Sequence, residues 1–510
     1  MTEVPREVRF RDLFSYLKVE SSSEENDFSP KASGSTSDSQ CSECSSERPR
    51  PFKVTKTDFS HDTGQKVYNS STIHKKVKSL YDNDELSDVK LMVGQKVFHA
   101  HRLILASSSD IFRVMLTNSK WIESRRDIIP LREEEECAGV FEHFLKYMYT
   151  GSIQLTHTNV LPLLILADKY IVKDLADLCT NYMCEHIVST VELNHAVSWL
   201  QYSQRSFHVK LTEACRLFIL HNFQKVISTS DFCEMDIGTL VNFLSRSDLI
   251  IPDEFVLYCG VVYWIKCQKE NYDDETMGSI AKEALSYVRF PMIRPMQLLK
   301  IQTSSLPNTC QQFIQDKISN AFQFHSLEVE ERRNISNRRG PQEQYLARHY
   351  TNDHWSMSME INRFRNLPKY YTRSILFSSP ISGSKADDHK CVEWNVEFHP
   401  KGVYFPPCIL IGWQGNLDVS DSAFETVRLS VKTKTTTVQR AEVVFMATGV
   451  QDGVEYIKQV VSRQCIFDLE TQIYNLDDVI PYIELNGRSP PYLCGEDRDT
   501  LKFTIMIKGI

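Results

Sequence analysis

The sequence predicts a multidomain chain with three architectures in succession: an α+β domain, an all-α domain and an all-β sandwich. Three observations carry this prediction. Between Ser87 and Gly151 a strand-like alternation gives way to helical spacing. From 191 to 325 apolar residues recur only at helical intervals, and beyond 345 the period becomes two. A chain of 510 residues has room for about three domains at ~150 residues each.

Residues 1–65 are read as disordered. Eleven serines and a single aromatic, Phe28, fall between Ser21 and Ser46, so little apolar surface offsets the entropy of ordering. Cys41-Ser42-Glu43-Cys44 has metal-like spacing, but no second Cys or His pair follows at zinc-finger distance, and no metal or cofactor is expected. From 66 to 190 the α+β domain begins with Ile73, Val77, Leu80 and Tyr81 on one helical face that ends at Asp82-Asn83-Asp84. Val89, Leu91 and Val93 then alternate, Gly94-Gln95 turns the chain, and Lys96-Val97-Phe98 returns as a hairpin. A short apolar helix from Leu103, a serine break and a second helix with Ile111, Met115 and Phe112 inward follow. Phe141, Phe144, Leu145 and Met148 mark a helix stopped by Thr150-Gly151. Val160 to Ile187 holds two more helices, with Leu161, Leu164, Ile165 and Leu166, then Tyr170, Leu175, Leu178, Tyr182 and Met183, as their apolar positions.

In 191–325 the apolar sets are Leu211, Ala214, Cys215, Phe218 and Ile219; Leu240, Phe243 and Leu244; and Phe255, Cys259, Val262, Tyr263 and Lys266. With no strand between them, they predict a helical bundle or solenoid. The charged stretch 326–345, with Glu330-Glu331-Arg332-Arg333 and Gly340-Pro341, is read as an exposed linker. In 346–510 Val392, Trp394, Val396 and Phe398 alternate with polar residues and His399-Pro400-Lys401-Gly402 turns the chain. Val427, Leu429 and Val431, and Leu501, Phe503, Ile505 and Ile507, alternate likewise. Asn486-Gly487 is a further turn signal. A β-sandwich follows. A kelch propeller is excluded, because repeats of ~50 residues with paired glycines are absent.

Composition narrows the function. The net charge of −8 gives no reason to expect nucleic acid as a partner. Apolar windows such as Leu163–Ala167 are too short for a bilayer, the N-terminus carries no signal-peptide pattern, and no membrane partner is expected. Fourteen scattered cysteines suggest reduced thiols, hence a protein of the cytoplasm or the nucleus. Without an entry signal, Asn69-Ser70-Ser71 and Asn334-Ile335-Ser336 are chance glycosylation matches. His99 and His101 lack partner ligands and are assigned to the fold, and Glu133-Glu134-Glu135-Glu136 is a solvated helix start. No nucleophile elbow, phosphate loop or zinc-protease motif occurs, so no enzyme is expected.

The motifs Ser87-Asp88-Val89, Phe98-His99-Ala100-His101-Arg102, Leu105-Ala106 and Tyr147-Met148-Tyr149-Thr150-Gly151 together resemble the BTB (POZ) fold. Cys215-Arg216-Leu217-Phe218-Ile219, Asn222-Phe223, Phe232, Leu244-Ser245-Arg246-Ser247-Asp248-Leu249 and Glu254 resemble the BACK domain. The chain is thus similar to BTB-BACK adaptors of the cullin 3 type, with a TRAF-like (MATH-like) sandwich in place of a propeller.

That resemblance implies a homodimer, with Ile73, Val77, Leu80 and Tyr81 at its interface. In cullin 3 binders the loop after the helix ending near Met115-Leu116 carries a hydrophobic residue, any residue, then glutamate, and Trp121-Ile122-Glu123 fits. Trp121 and Glu123 would make the cullin contact, with Ile122, Phe112, Met115 and Tyr149 beside them and the stretch His195 to His208 extending it. Trp is the residue most enriched at binding hot spots. The alternative for Trp121 is a cover over its own core. The expected function is a substrate-recognition adaptor of a cullin 3 RING E3 ubiquitin ligase, with an unidentified protein substrate on the sandwich. A second reading is a non-catalytic BTB scaffold in membrane traffic or cytoskeletal organisation without cullin. A third, a transcription factor, lacks the zinc fingers it usually needs.

Overall fold

The computed structural model describes residues 69–81, 83–188, 194–269, 271–302, 308–337, 342–380, 391–404, 424–433, 439–468 and 470–509. The serine-rich segment 1–65 and its Cys41–Cys44 pair lie outside the described residues. The chain divides into two compact units, Met1–Ser79 and Leu80–Ile510.

The described part of the first unit is a helix, Ser70–Lys78, with Lys75, Lys76 and Lys78 complementing the carbonyls of its last turn. None of its residues is buried, and Ile73 is 66% exposed. The helix stops before Leu80 and Tyr81, so the four residues assigned to a dimer face do not share one helix. Tyr81 has other work in the second unit. Its hydroxyl donates to the Glu142 carbonyl at 3.3 Å and its ring meets Tyr149 edge-on at 5.7 Å.

The second unit opens with a three-stranded sheet, β1 (Val89–Val93), β2 (Lys96–Ala100) and β3 (Ile128–Leu131), ordered β2-β1-β3. The β1–β2 hairpin turns at Gly94, whose φ of +58° only glycine adopts without cost. Strand β3 runs parallel to β1, so the chain between them must cross over, and it does so through helices Arg102–Ser108 and Asp110–Thr117. Phe141, Phe144 and Leu145 of helix Glu135–Thr150 are fully buried, and Gly151 closes that helix in the left-handed region, donating its N–H to Tyr147 at 2.7 Å. Helices Val160–Lys169 and Lys173–Glu185 complete the layer.

The helical region begins with Ala196–Arg205, Val209–His221, Phe223–Ile227 and Ile237–Ser245. Glu254–Gln268, Asp274–Ser286, Pro295–Gln302, Asn308–Ser326 and Val329–Asn337 follow. Asp236, Asp253 and Asp273 cap three of them by accepting from the amides of Thr239, Val256 and Thr276. Three expectations are corrected here. Helix Glu254–Gln268 buries Leu257, Tyr258, Val261, Trp264 and Ile265, whereas Phe255, Cys259, Val262 and Tyr263 stay half-exposed and Lys266 fully so. Apolar residues ring this helix, so spacing alone does not pick the inner face. Gly260 does, since a Cβ there would fall 2.6 Å from Ile227 Cδ1. Much of the presumed linker is not exposed coil but the helix Val329–Asn337, with Arg332 buried and donating to the His325 carbonyl at 3.4 Å. And a strand does interrupt the helices: β4 (Ile250–Ile251) pairs in parallel with β5 (His349–Tyr350), at the start of the C-terminal region.

That region is a sandwich. One sheet is ordered β11-β10-β14-β13, with β6 also on β14; the other is β12-β9-β8-β7. The strands are β6 (Ser356–Ile361), β7 (Arg373–Pro380), β8 (Cys391–His399), β9 (Arg428–Thr433), β10 (Gln439–Gln451), β11 (Val454–Phe467), β12 (Ile473–Leu476), β13 (Leu493–Cys494) and β14 (Thr500–Gly509). Trp394, Val396, Phe398, Val427, Leu429, Val431, Phe503 and Ile505 face inward, as their alternation requires. Gly402 has φ +90° and lies so close to Phe424 that a Cβ would fall 2.6 Å from its carbonyl oxygen. Asn486-Gly487 is not a hairpin turn. It ends a short helix, Tyr482–Asn486, behind Pro481, whose fixed φ of −55° suits a helix start.

Candidate functional site

The residues of the predicted contact loop are placed by two neighbouring helices. Ser109 caps helix Asp110–Thr117, accepting from Phe112 N at 3.1 Å and donating to the Tyr170 carbonyl at 2.5 Å. This phase turns Phe112 inward as expected, together with Leu116, but leaves Ile111 and Met115, also expected inward, half-exposed. Phe112 stacks on Tyr170 at 4.6 Å between ring centres. Tyr149 is buried as well. Its hydroxyl accepts from His101 N at 2.9 Å and lies 3.1 Å from His101 Nδ1, and burial pushes its phenol up to about 12. Phe112 and Tyr149 are therefore core residues behind the loop, not contact residues, and His101 has the structural place expected of it.

After the helix ends, Asn118 organises the next turn by accepting from Lys120 N on its side chain and from Trp121 N on its carbonyl, both at 3.0 Å. Ile122–Arg125 then forms one turn of 3₁₀ helix, with the Ser124 hydroxyl on the Trp121 carbonyl at 2.7 Å. The backbone is strapped from below by Arg102. Its guanidinium donates to the carbonyls of Ser124 at 3.0 Å and Arg126 at 2.6 Å, while Arg102 N donates to Asp88 Oδ1 at 2.7 Å. Trp121 is 48% and Ile122 65% exposed. Trp121 is thus only partly packed on its own domain. Glu123 is half-buried and pairs with no cation among the described residues. Met115 stands half-exposed on the preceding helix. The loop's backbone demand is met from within the domain, while the side chains of Trp121 and Ile122 stand partly in water. Asp88 and Arg102 sit inside the recognised motifs, but only the structure shows them holding this loop.

The stretch His195–His208 carries two kinds of residue. Tyr202 donates to Asp168 at 2.6 Å and His208 Nε2 lies 2.8 Å from the same carboxylate, tying helix Ala196–Arg205 to the first domain. Phe207, with φ +61°, is 86% exposed and Val209 beside it is also exposed. Sequence reasoning passed over both, although an aromatic just outside a helix start is a usable signal. The acidic run is not wholly solvated either. Glu133 is buried and accepts from Lys169 at 2.8 Å and Tyr170 at 2.6 Å.

The sandwich is held by a seam that sequence reasoning did not find. Glu254 Oε1 accepts from Arg289 N at 2.7 Å; Oε2 accepts from Tyr350 at 2.7 Å and Arg348 Nε at 3.2 Å. Arg348 also donates to the carbonyls of Arg246 and Tyr287. Burial pushes the Tyr350 phenol well above its usual range. Beside this group, burial alone would raise the Glu442 carboxyl, yet His349, Lys508 and Ser462 together hold it well below the usual carboxylate range. Farther along, the Asn222 side chain accepts from Ile457 N at 2.8 Å and donates to Ile457 O at 3.1 Å, closing the β11 edge as a neighbouring strand would. Among the described residues no cluster of His, Cys, Asp and Glu is arranged for a metal ion, and no helix is long and apolar enough to cross a membrane.

Comparison with known proteins finds three domain families along the chain. Residues 77–187 match the BTB/POZ domain, 196–303 the BACK domain (BTB And C-terminal Kelch) and 345–510 the BTBD17 TRAF domain. BTB/POZ domain-containing protein 17 of Xenopus laevis is 31% identical over 366 residues, covering 68% of this chain and 72% of the frog protein. The human protein of that name is 28% identical over 345 residues, 66% of this chain and 68% of its own length. Human Kelch-like protein 7 is 27% identical over 251 residues, 49% of this chain and 41% of its own.

Proposed function

The chain belongs to the family of BTB/POZ domain-containing protein 17, and from that premise we propose that it is a non-catalytic, homodimeric substrate-recognition adaptor of a cullin 3 RING E3 ubiquitin ligase, acting in the cytoplasm. The observation that carries the proposal is the strapped loop with Trp121 and Ile122 in water and Glu123 beside them. In this reading Trp121 fills an apolar pocket on cullin 3, Glu123 pairs at its rim, and Met115 borders it. Exposed Phe207 and Val209 extend the surface. The sandwich takes a protein substrate, and Ile73, Val77, Leu80 and Tyr81 belong to the dimer contact. Two substrate domains per dimer raise the effective concentration without new contacts.

The test is calorimetric titration of the full chain with the N-terminal domain of cullin 3. Trp121→Ala should cost roughly 2–4 kcal/mol, a loss of about thirtyfold to nearly a thousandfold. Glu123→Ala should cost about 1 kcal/mol or less, as a wet rim pair does. Absence of binding by the native chain would favour the scaffold reading, and unchanged affinity in Trp121→Ala would remove this loop from the contact.

A further inference from the structure

Of the described cysteines, Cys137, Cys179, Cys215, Cys465 and Cys494 are free and buried, Cys184 and Cys259 free and half-buried, and Cys391 free and exposed. Cys233 and Cys267 differ. Their Cα atoms are 5.7 Å apart, within disulfide range, and their sulfurs are in contact. They meet because the 3₁₀ turn Ser230–Glu234 lies against the end of helix Glu254–Gln268, where Trp264 Nε1 donates to the Met235 carbonyl at 2.9 Å and Gln268 Nε2 to the Cys233 carbonyl at 2.5 Å. Both residues are half-exposed, within reach of a small oxidant or thiol.

The same turn holds a helix in place. Two residues before Cys233, the buried Asp231 carboxylate accepts from Val197 N at 2.7 Å, Ser198 N at 3.2 Å and the Ser198 hydroxyl. It thereby satisfies orphan donors at the start of helix Ala196–Arg205. That helix reaches Asp168 of the first domain through Tyr202. A bond that fixes the turn fixes the cap, and so steadies the helix joining the two domains.

We propose that Cys233 and Cys267 form a reversible dithiol–disulfide pair whose closure stiffens the Asp231 cap of helix Ala196–Arg205. With glutathione disulfide as oxidant, one cysteine thiolate attacks a glutathione sulfur and releases one glutathione thiolate. The other cysteine then attacks the mixed disulfide and releases the second. The two cysteines lose two electrons and two protons, and glutathione disulfide becomes two glutathione thiols.

The experiment equilibrates the full chain in glutathione buffers from fully reducing to fully oxidising, traps free thiols by alkylation, and identifies the linked peptide by mass spectrometry. Amide exchange and melting are followed on the same samples. The linked Cys233–Cys267 peptide should appear and disappear with the buffer. Oxidation should slow exchange at Val197 and Ser198 on the order of tenfold and raise the melting midpoint by on the order of 5 °C. Cys233→Ser and Cys267→Ser should each abolish the dependence, and Cys391→Ser should not. If a serine variant does not fold, alkylation and exchange on the native chain still decide. Absence of the link in the oxidising buffer overturns the pairing. A link that survives the most reducing buffer overturns reversibility, and a link without slower exchange at Val197 and Ser198 overturns the coupling to the cap.

Discussion

The loop at Trp121 and the seam around Glu254 both present one surface to another, but they treat polarity in opposite ways. In the loop the side chains of Trp121 and Ile122 stand in water and the polar atoms that matter, its backbone carbonyls, are satisfied from beneath by Arg102. In the seam, Glu254 and Arg348 are themselves sealed from water and satisfied only by one another and their neighbours. A buried ion pair of this kind adds little net stability over an apolar substitute, yet breaking it is costly, because the surviving charge cannot rehydrate. The loop keeps its apolar side chains open to solvent. The seam is made once, during folding, and holds the sandwich to the helical domain.

The two surfaces should differ most in their response to a change at Glu254. Glu254→Gln leaves Arg348 buried beside a neutral amide and should destabilise by about 3–5 kcal/mol. Urea unfolding followed by tryptophan fluorescence would show it, since Trp355 lies 5.9 Å from Tyr350. Trp121→Ala should leave the same curve in place; a loss below about 1 kcal/mol in Glu254→Gln would erase the contrast drawn here. A smaller effect is expected at Arg102→Ala, which removes charge-assisted bonds worth about 1.5–3 kcal/mol. Amide exchange should quicken at Ser124 and Arg126, and cullin binding weaken about tenfold, while the helical domain and sandwich are unchanged. Equal exchange in variant and native chain would show that the loop holds its shape without the strap.

The smallest effect concerns pH. His221 lines a cleft of about 200 Å3 on the seam with Lys225, Ile251, Thr351, Glu455 and Tyr456. Burial pulls its imidazole down to about 4, against the opposing pull of Asp248. Its folded value lies below the ordinary 6.5, so between those limits the unfolded chain binds more protons. Stability from this group is intact above pH 6.5 and drains as pH falls toward 4. Glu442 does not confuse that window, because a depressed carboxylate contributes fully above about pH 4.5. From pH 7 to 5.5 the native chain should lose about 1 kcal/mol more than His221→Asn; parallel melting curves for the two would refute the assignment.

Legibility followed burial geometry. Where one face is wet and the other dry, as in β8 and β14, alternation names the inward residues, and Gly94 and Gly151 mark turns that only their φ permits. Helix Glu254–Gln268 is apolar almost all round, so its buried face was not written in its period. Phe112 and Tyr149 carry side chains as apt for an interface as for a core, and the phase set by Ser109 and the bond to His101 decide for the core. The charged helix Val329–Asn337 resembled a linker because a buried arginine with a carbonyl partner has the same composition as a solvated one. The partnership of Glu254 with Arg348 and Tyr350 joins residues far apart in the chain, and no local pattern encodes it.

The parallel pair β4–β5 gives the molecule a timetable. A ribosome delivers Ile250 and Ile251 about a hundred residues before their partners His349 and Tyr350. At about 5–20 residues per second that delay is roughly 5 to 20 s. Through that interval the β4 edge and the carboxylate of Glu254 wait without their final partners. A nascent chain stopped between them would carry a helical domain with an open strand and a stranded buried charge, the kind of surface that chaperones and proteases bind. The last bonds of the seam therefore close only when residues 348–350 arrive, late in synthesis.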